Sequence, residues 1–512
     1  MAQARPETAP NTGSATDPGD GRVLDAVILG AGFAGLGMAI KLQQAGRDDF
    51  VILEKASEIG GTWRDNRYPG CACDVPSHLY SFSFEPYAGW SRLFPTQSEI
   101  LDYLLRVADR HRLRPKIRFG AEAVEARFDE ARNLWHVRTA GGRSFVSRYL
   151  VSAMGGLSRP ALPDIPGRER FAGPAFHSAQ WRHDVDLAGR RVAVIGTGAS
   201  AIQFVPRIAP QAGRLSLFQR TPPWILPKLD RAHSSLEKRL IERLPGYRRL
   251  LRALIYWTYE LRALAFQKPA LMRRFQRMAR EHLASQVADP ALRARLLPDY
   301  TMGCKRVLIA NDYYPALQRP NVELVTERVA EIVENGVVTA DGRLHEADVL
   351  IFGTGFRATD LLSPMRILGR AGLDLDQAWR EGASAHFGTT VAGFPNLFLL
   401  VGPNTGLGHN SIVFMIEAQL RYVMDCLKQA AHRGAAAIEP LGAAQAAYNA
   451  DIQQRLGGTV WASGCRSWYL DAAGRNTTLW PGFTVEFWWR TRRARAADYA
   501  FVPPGKAADA NP

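Results

Sequence analysis

Four apolar residues, Ala26-Val-Ile-Leu29, stand before Gly30. Apolar positions then shift to helical spacing through Met38, Ile40 and Leu42 and stop at Gly46, and a second apolar run, Phe50-Val-Ile-Leu53, follows. Short runs bounded by glycine predict strands buried on both faces, and the change of period from continuous to 3.6 predicts a strand-turn-helix-strand unit. The same succession returns at Arg191-Val-Ala-Val-Ile195, a helix from Ala201, and Leu215-Ser-Leu-Phe218. Further strands are predicted at Val322–Val325, Asp348–Phe352 and Asn396–Val401, and a helix from Ile412 to Gln429. Residues 229–300 differ: Leu240, Leu244, Tyr247, Leu250, Leu251, Leu254 and Ile255 recur at helical spacing among many arginines, which predicts a helical insertion. Gly457 to Tyr499, dense in Trp, Gly and Arg, reads as loops over a core.

The two turns carry the candidate chemistry. Gly30-x-Gly32-x-x-Gly35 follows the first strand and opens the first helix, so backbone can approach a pyrophosphate at a helix N-terminus. Glu54 ends the next strand nineteen residues beyond Gly35, where an acid accepts hydrogen bonds from ribose hydroxyls. Gly196-x-Gly198-x-x-Ala201 repeats the turn, but its following strand ends in Gln219-Arg220-Thr221, with no acid. A carboxylate there would repel a 2′-phosphate, whereas a guanidinium holds one by charge-assisted hydrogen bonds; the other reading of Arg220 is a solvated charge at a strand end. The first site suits FAD and the second NADPH. The predicted fold class is α/β, with two Rossmann-like dinucleotide-binding domains and a helical insertion in the second. The boundaries expected are a disordered tail at 1–20, the FAD domain at 21–158, the NADP domain at 159–356 with the insertion at about 229–300, a return to the FAD domain at 357–500, and a tail at 501–512.

Composition narrows the class. The 512 residues suffice for two or three cored domains. No apolar run is long enough to cross a bilayer, and the first residues, rich in Pro, Thr, Gly and Asp, lack the apolar core of a secretory signal. Five cysteines, with Cys71 and Cys73 spaced C-x-C, match neither a C-x-x-C redox pair nor a usual zinc set. All five are therefore expected as free thiols in a reducing cytoplasm, with no metal site. The net charge is +15. It reads as a solvated basic surface, as a funnel for an anionic cofactor, or as loose membrane-surface contact; no recognition motif accompanies it, so nucleic acid is not expected. For the helical insertion, helices packed on the domain with their basic face in water are expected over a membrane-binding helix.

Between the two turns lies Phe171-x-Gly173-x-x-x-His177-x-x-x-Trp181. With it stand Gly61-Thr62-Trp63, Tyr68-Pro69-Gly70, Asp74, and the late Phe352-Gly-Thr-Gly-Phe356. In this combination and order, over residues 22 to 495, the chain resembles the type I Baeyer–Villiger monooxygenases, a branch of the flavin-containing monooxygenases. Arg182 departs from the Pro or Asp that usually follows the fingerprint Trp.

The resemblance implies an FAD-containing, NADPH-dependent enzyme that inserts one atom of O2 beside a ketone carbonyl through a C4a-peroxyflavin, giving an ester or lactone. Such an oxygen must stay deprotonated and dry, so the site needs a permanent cation; Arg meets this because it stays charged at any working pH. At an effective dielectric near 20, unit charges about 4 Å apart attract by about 4 kcal/mol. The resemblance implies Arg306 as that cation and Asp74 as the carboxylate that orients it, with Lys305 a 2′-phosphate contact beside Arg220 and Thr221. It places Thr62, Trp63 and Asp74 at the flavin. Asp74 as an ordinary loop carboxylate and Lys305-Arg306 as a surface pair are the alternatives. His177 reads as an interdomain hinge rather than a proton carrier. Trp461, in Trp-x-x-Gly464, resembles a family Trp that contacts the nicotinamide cofactor, and equally reads as a packing Trp. The substrate expected is a hydrophobic ketone. The nearest competitor is an N- or S-oxygenating flavin-containing monooxygenase, which has no use for a fixed cation at Arg306. A flavin disulfide reductase needs a C-x-x-C pair, and a non-catalytic FAD/NADPH-binding protein is the third alternative.

Overall fold

The computed structural model describes residues 21–465, 467–471 and 473–504. The expected tail at 1–20 lies outside these, as do residues 505–512; 501 and 502 are not tail but the end of a strand, Tyr499–Val502, paired antiparallel with Ala437–Pro440.

The first apolar runs pair as buried parallel strands. Val23–Leu29 sits between Phe50–Leu53 and Ser144–Ser152 in an eight-stranded sheet, with Ile117–Arg118 beyond Phe50–Leu53. Ser144–Ser152 works twice. Its first half pairs antiparallel with Leu134–Thr139, and its second half pairs parallel with Leu397–Leu399, the short strand of the Asn396 run. The chain therefore leaves its first sheet for the second unit and returns to it twice, at Arg366–Leu368, which pairs parallel with Ala123–Asp129, and at Leu397–Leu399. Helix Phe33–Gln44 is buried along its length because helix Ile412–His432 packs on its outer side. That second helix runs three residues beyond Gln429.

The second unit is a separate, all-parallel sheet in the order Val322–Val325, Arg214–Phe218, Arg191–Ile195, Val349–Phe352 and Ala175–His177. The fingerprint segment is thus an edge strand of this sheet rather than a free linker: Phe176 pairs with Ile351 and His177 with Phe352. Five helices fill the insertion: Ser235–Arg243, Pro245–Glu260, Ala263–Gln267, Pro269–Gln286 and Pro290–Leu296. Pro residues start three of them at the first helical position, where the missing N–H costs nothing. Between Gly457 and Tyr499 the described residues are mainly loop, as expected, interrupted by helix Thr484–Arg490.

Candidate functional site

Both glycine turns have the close backbone approaches that only glycine permits. Gly30 has φ +99°, and a Cβ there would lie 2.9 Å from the Ala153 carbonyl oxygen; a Cβ on Gly35 would lie 1.9 Å from the Gly30 carbonyl oxygen. Gly32 caps the helix without any side-chain bond to the first-turn amides, and nothing lies nearer to its missing Cβ than Gly61 Cα at 3.9 Å. The turn therefore stays open toward Gly61, Thr62 and Trp63, with free amides at its floor, as a pyrophosphate requires. Glu54 is only 4% exposed. Its Oε2 accepts from the Ala31 amide at 2.9 Å, and its Oε1 accepts from the Ala56 amide and Arg64 Nη1, each at 3.0 Å. The carboxylate thus braces the turn itself: Oε1 already accepts two bonds, and only Oε2 keeps a lone-pair direction for a ribose hydroxyl.

At the second turn Gly196 has φ +108° and would clash with the Gly353 carbonyl oxygen, while Gly198 faces open space up to that same oxygen at 4.0 Å. Ala201 starts helix Ala201–Ile208. Thr197 Oγ1 donates to the Thr221 carbonyl at 3.1 Å, fixing the segment that carries exposed Arg220. Burial first, and then the charge of Arg220, hold the Lys305 ammonium below the ordinary lysine range. Lys305 Nζ lies 4.6 Å from the centre of the Tyr300 ring.

Asp74 and Arg306, 232 residues apart, meet directly. Arg306 Nε and Nη2 both donate to Asp74 Oδ2, at 3.0 and 2.5 Å. The side chains are 30% and 32% exposed, so the pair lines an accessible site rather than a sealed core. The Asp74 charge raises the Arg306 pKa further above its ordinary value against the opposing effect of burial. Trp63 Nε1 donates to Tyr80 Oη at 3.2 Å and stacks edge-on against that ring, holding the Gly61-Thr62-Trp63 turn to the segment after Asp74.

The fingerprint joins this site to the second sheet. Trp181 is buried against Phe176 and Phe204, and Phe204 meets Tyr68. Phe171 lies in the core of the second unit, and a Cβ on Gly173 would strike the Asp348 carbonyl oxygen. His177 is 1% exposed; burial lowers its pKa to about 4, with the Gly355 backbone opposing weakly. Its Nδ1 accepts from the Ala179 amide at 3.1 Å, so the neutral ring carries its proton on Nε2. The ring is therefore held neutral at working pH and bonded within its own turn.

Sequence reasoning missed several residues here. Gln203 bridges the units: Tyr68 Oη donates to its Oε1 at 3.0 Å, and its Nε2 donates to the Ala72 carbonyl at 3.0 Å. Nothing in the helical spacing distinguishes it from a surface glutamine. Tyr469 is buried with its hydroxyl lacking a hydrogen-bond partner among the described residues. Burial pushes its pKa up to about 12 and the neighbouring Arg306 opposes this. Glu260, fully buried, accepts from Asn410 Nδ2, Thr484 Oγ1 and the Val485 amide, and His409 Nε2 stands 3.6 Å away. It ties the helical insertion to the strand-loop after Leu399. Trp461 is buried and stacks on Phe266 at 5.2 Å, so packing describes its surroundings.

The cysteines require a correction. Cys304 and Cys465 form a disulfide, with Cα atoms 6.2 Å apart, inside the usual span of about 4.4–6.8 Å. Cys71, Cys73 and Cys426 are free and buried. Spacing could not reveal a pair separated by 161 residues that the fold brings together. The bond fastens the loop carrying Trp461 and Tyr469 to the segment two residues before Arg306.

A family model described as pyridine nucleotide-disulphide oxidoreductase matches residues 27–249. A Baeyer–Villiger monooxygenase of Pseudomonas aeruginosa is 50% identical over 96% of this chain and 94% of its own. Among solved structures, cyclohexanone monooxygenase from Rhodococcus sp. Phi1 bound to NADP+ superposes with a TM-score of 0.86 at 31% identity, covering 94% of this chain and 99% of the other. An OTEMO complex with FAD and NADP gives 0.85 at 29% identity over 94% and 99%.

Proposed function

This chain belongs to the Baeyer–Villiger monooxygenases, and we propose that it inserts one oxygen atom from O2 beside the carbonyl of a hydrophobic ketone, with Arg306 as the fixed cation of the site. FAD would occupy the first glycine turn and NADPH the second, and when bound they would supply oxygen activation and hydride. The fit rests on the open Gly32–Gly61 face, on the uncapped first-turn amides, and on the positive charge that Arg220 and Lys305 bring to the second turn.

The observation that carries the reading is the Arg306–Asp74 contact. Asp74 takes Nε and Nη2 and leaves Nη1 outside the pair, a donor still open to the reacting oxygen. The guanidinium has no proton to give at working pH, so negative charge on the reacting oxygen is held and not quenched. The same donor stabilises the oxyanion that develops at the ketone carbonyl, where one preorganised donor is worth about 10²–10³ in rate. Asp74 orients the fork and keeps the cation from turning to water. Buried Tyr469 neighbours the guanidinium, and the Cys304–Cys465 bond fastens the loop that carries it.

A cytoplasmic location is part of the same reading; among the described residues no helix is long and apolar enough to cross a membrane. A ketone panel of cyclic, linear, aryl and steroid compounds with NADPH, products read by mass, tests it. A product heavier than its ketone by one oxygen, labelled from 18O2, supports the reading. NADPH oxidation with every ketone returned unchanged overturns it.

A further inference from the structure

The helical insertion does not bury all of its apolar stripe. On helix Pro245–Glu260, Ile255, Tyr256 and Tyr259 face inward; Tyr256 stacks on Phe414 and bonds Thr484. The opposite face carries Leu250, Leu254, Trp257 and, just past the helix end, Leu261, which are 57%, 59%, 50% and 58% exposed. At about 100° per residue, these positions and Ala253 share an arc of about 100°, the width of a face made to be covered. The expectation of a solvated basic face with the apolar stripe packed inward is therefore half reversed: the leucines are out.

Arg249 flanks this arc on the exposed side, and exposed Arg243 ends the preceding helix; Arg248 lies on the opposite face. Neither Arg249 nor Arg243 is ion-paired with a carboxylate among the described residues. Residues 235–296 hold fourteen Lys and Arg against five Asp and Glu, an excess of nine out of the +15 of the whole chain. Positive charge is thus concentrated in the element that exposes the apolar row.

The geometry points to a docking surface for an anionic lipid membrane, with the Leu250–Leu261 face lying in the headgroup boundary and the arginines on the lipid phosphates. An apolar arc rimmed by Arg and containing an interfacial Trp is the arrangement of an in-plane amphipathic helix. Charge decides against the other occupants. A second copy of this chain would set the same excess of nine against itself. A nucleic acid would use the arginines and leave four large apolar side chains in water. Docking here also has a use. Glu260, at the end of the same helix, is anchored to Asn410 and Thr484, so a membrane-held insertion stays coupled to the site. Apolar ketones partition into such a membrane.

The test is flotation of the holoenzyme with vesicles of phosphatidylcholine alone or with about one-third phosphatidylglycerol. The holoenzyme floats with the anionic vesicles and not with the neutral ones, and raising salt from about 0.1 to about 0.5 M weakens binding as screening shortens. Leu254→Glu with Trp257→Glu lowers vesicle affinity by about tenfold or more, and so does Arg249→Glu with Arg243→Glu. Flavin absorbance and NADPH oxidation with a soluble ketone stay at the parent level in both variants, which separates lost docking from lost folding. Absence of flotation with anionic vesicles overturns the proposal. So does an apolar-face variant that binds like the parent, since charge alone would then suffice. Sedimentation showing a dimer that Leu254→Glu dissociates, without vesicle binding, assigns the face to a second copy and overturns it as well. None of these readouts depends on which ketone is oxidised.

Discussion

Arg306 lays Nε and Nη2 on a single oxygen of Asp74, so one carboxylate atom fixes the plane of the guanidinium while the third nitrogen, Nη1, stays outside the pair. Asp74→Asn keeps the shape and removes the charge. Its expected result is a fall in kcat on the order of tenfold, with the ketone KM nearly unchanged, because orientation rather than binding is lost. Steady-state kinetics on the best ketone of the panel check this; an unchanged kcat would mean that Asp74 only fills space.

Arg220 follows the second strand of the second unit and adds to the positive charge around Lys305. Arg220→Ala removes a charge-assisted contact of about 1.5–3 kcal/mol, which is about 10–100-fold in affinity. The KM for NADPH is expected to rise by that factor while the KM for NADH does not move. Equal losses with both cofactors would place Arg220 away from the 2′-phosphate.

The Cys304–Cys465 bond predicts a thiol count. Denatured in the absence of reductant, the protein should titrate three thiols, from Cys71, Cys73 and Cys426, and five after reduction. Five thiols without reductant would contradict the bond.

His177 predicts a pH limit. Its folded pKa of about 4 lies below the ordinary 6.5, so the neutral form is favoured by folding. That stabilisation is fully present above pH 6.5 and is lost as pH falls toward 4, by up to about 3 kcal/mol. Melting midpoints should drop over this window, and the drop should be smaller in His177→Gln. Parallel curves for both proteins would remove His177 from the account.

The strands and both glycine turns were legible because their signals are local. Apolar runs such as Ala26–Leu29 and Val192–Ile195, each followed by Gly-x-Gly, carry their own explanation in periodicity and in the glycine φ they demand. Long-range meetings were not legible from spacing. Asp74 and Arg306 came together only through the resemblance, and Cys304 with Cys465 did not come together at all. Gln203 looks like any helix-surface glutamine, yet it couples the two units. Helical periodicity found the stripe from Leu240 to Ile255 but could not tell that Leu250 and Leu254 face outward, because period fixes a face and not what covers it.

The central claim is that a fixed positive charge at Arg306 serves oxygen insertion and not the steps before it. Arg306→Ala, loaded with FAD and mixed with NADPH, ketone and air, tests it most directly by measuring ester and hydrogen peroxide against NADPH consumed. The expected result is anaerobic flavin bleaching by NADPH at close to the parent rate, ester formation down by about 10²–10³, and the consumed NADPH recovered as hydrogen peroxide. Ester formed at the parent rate would contradict the account.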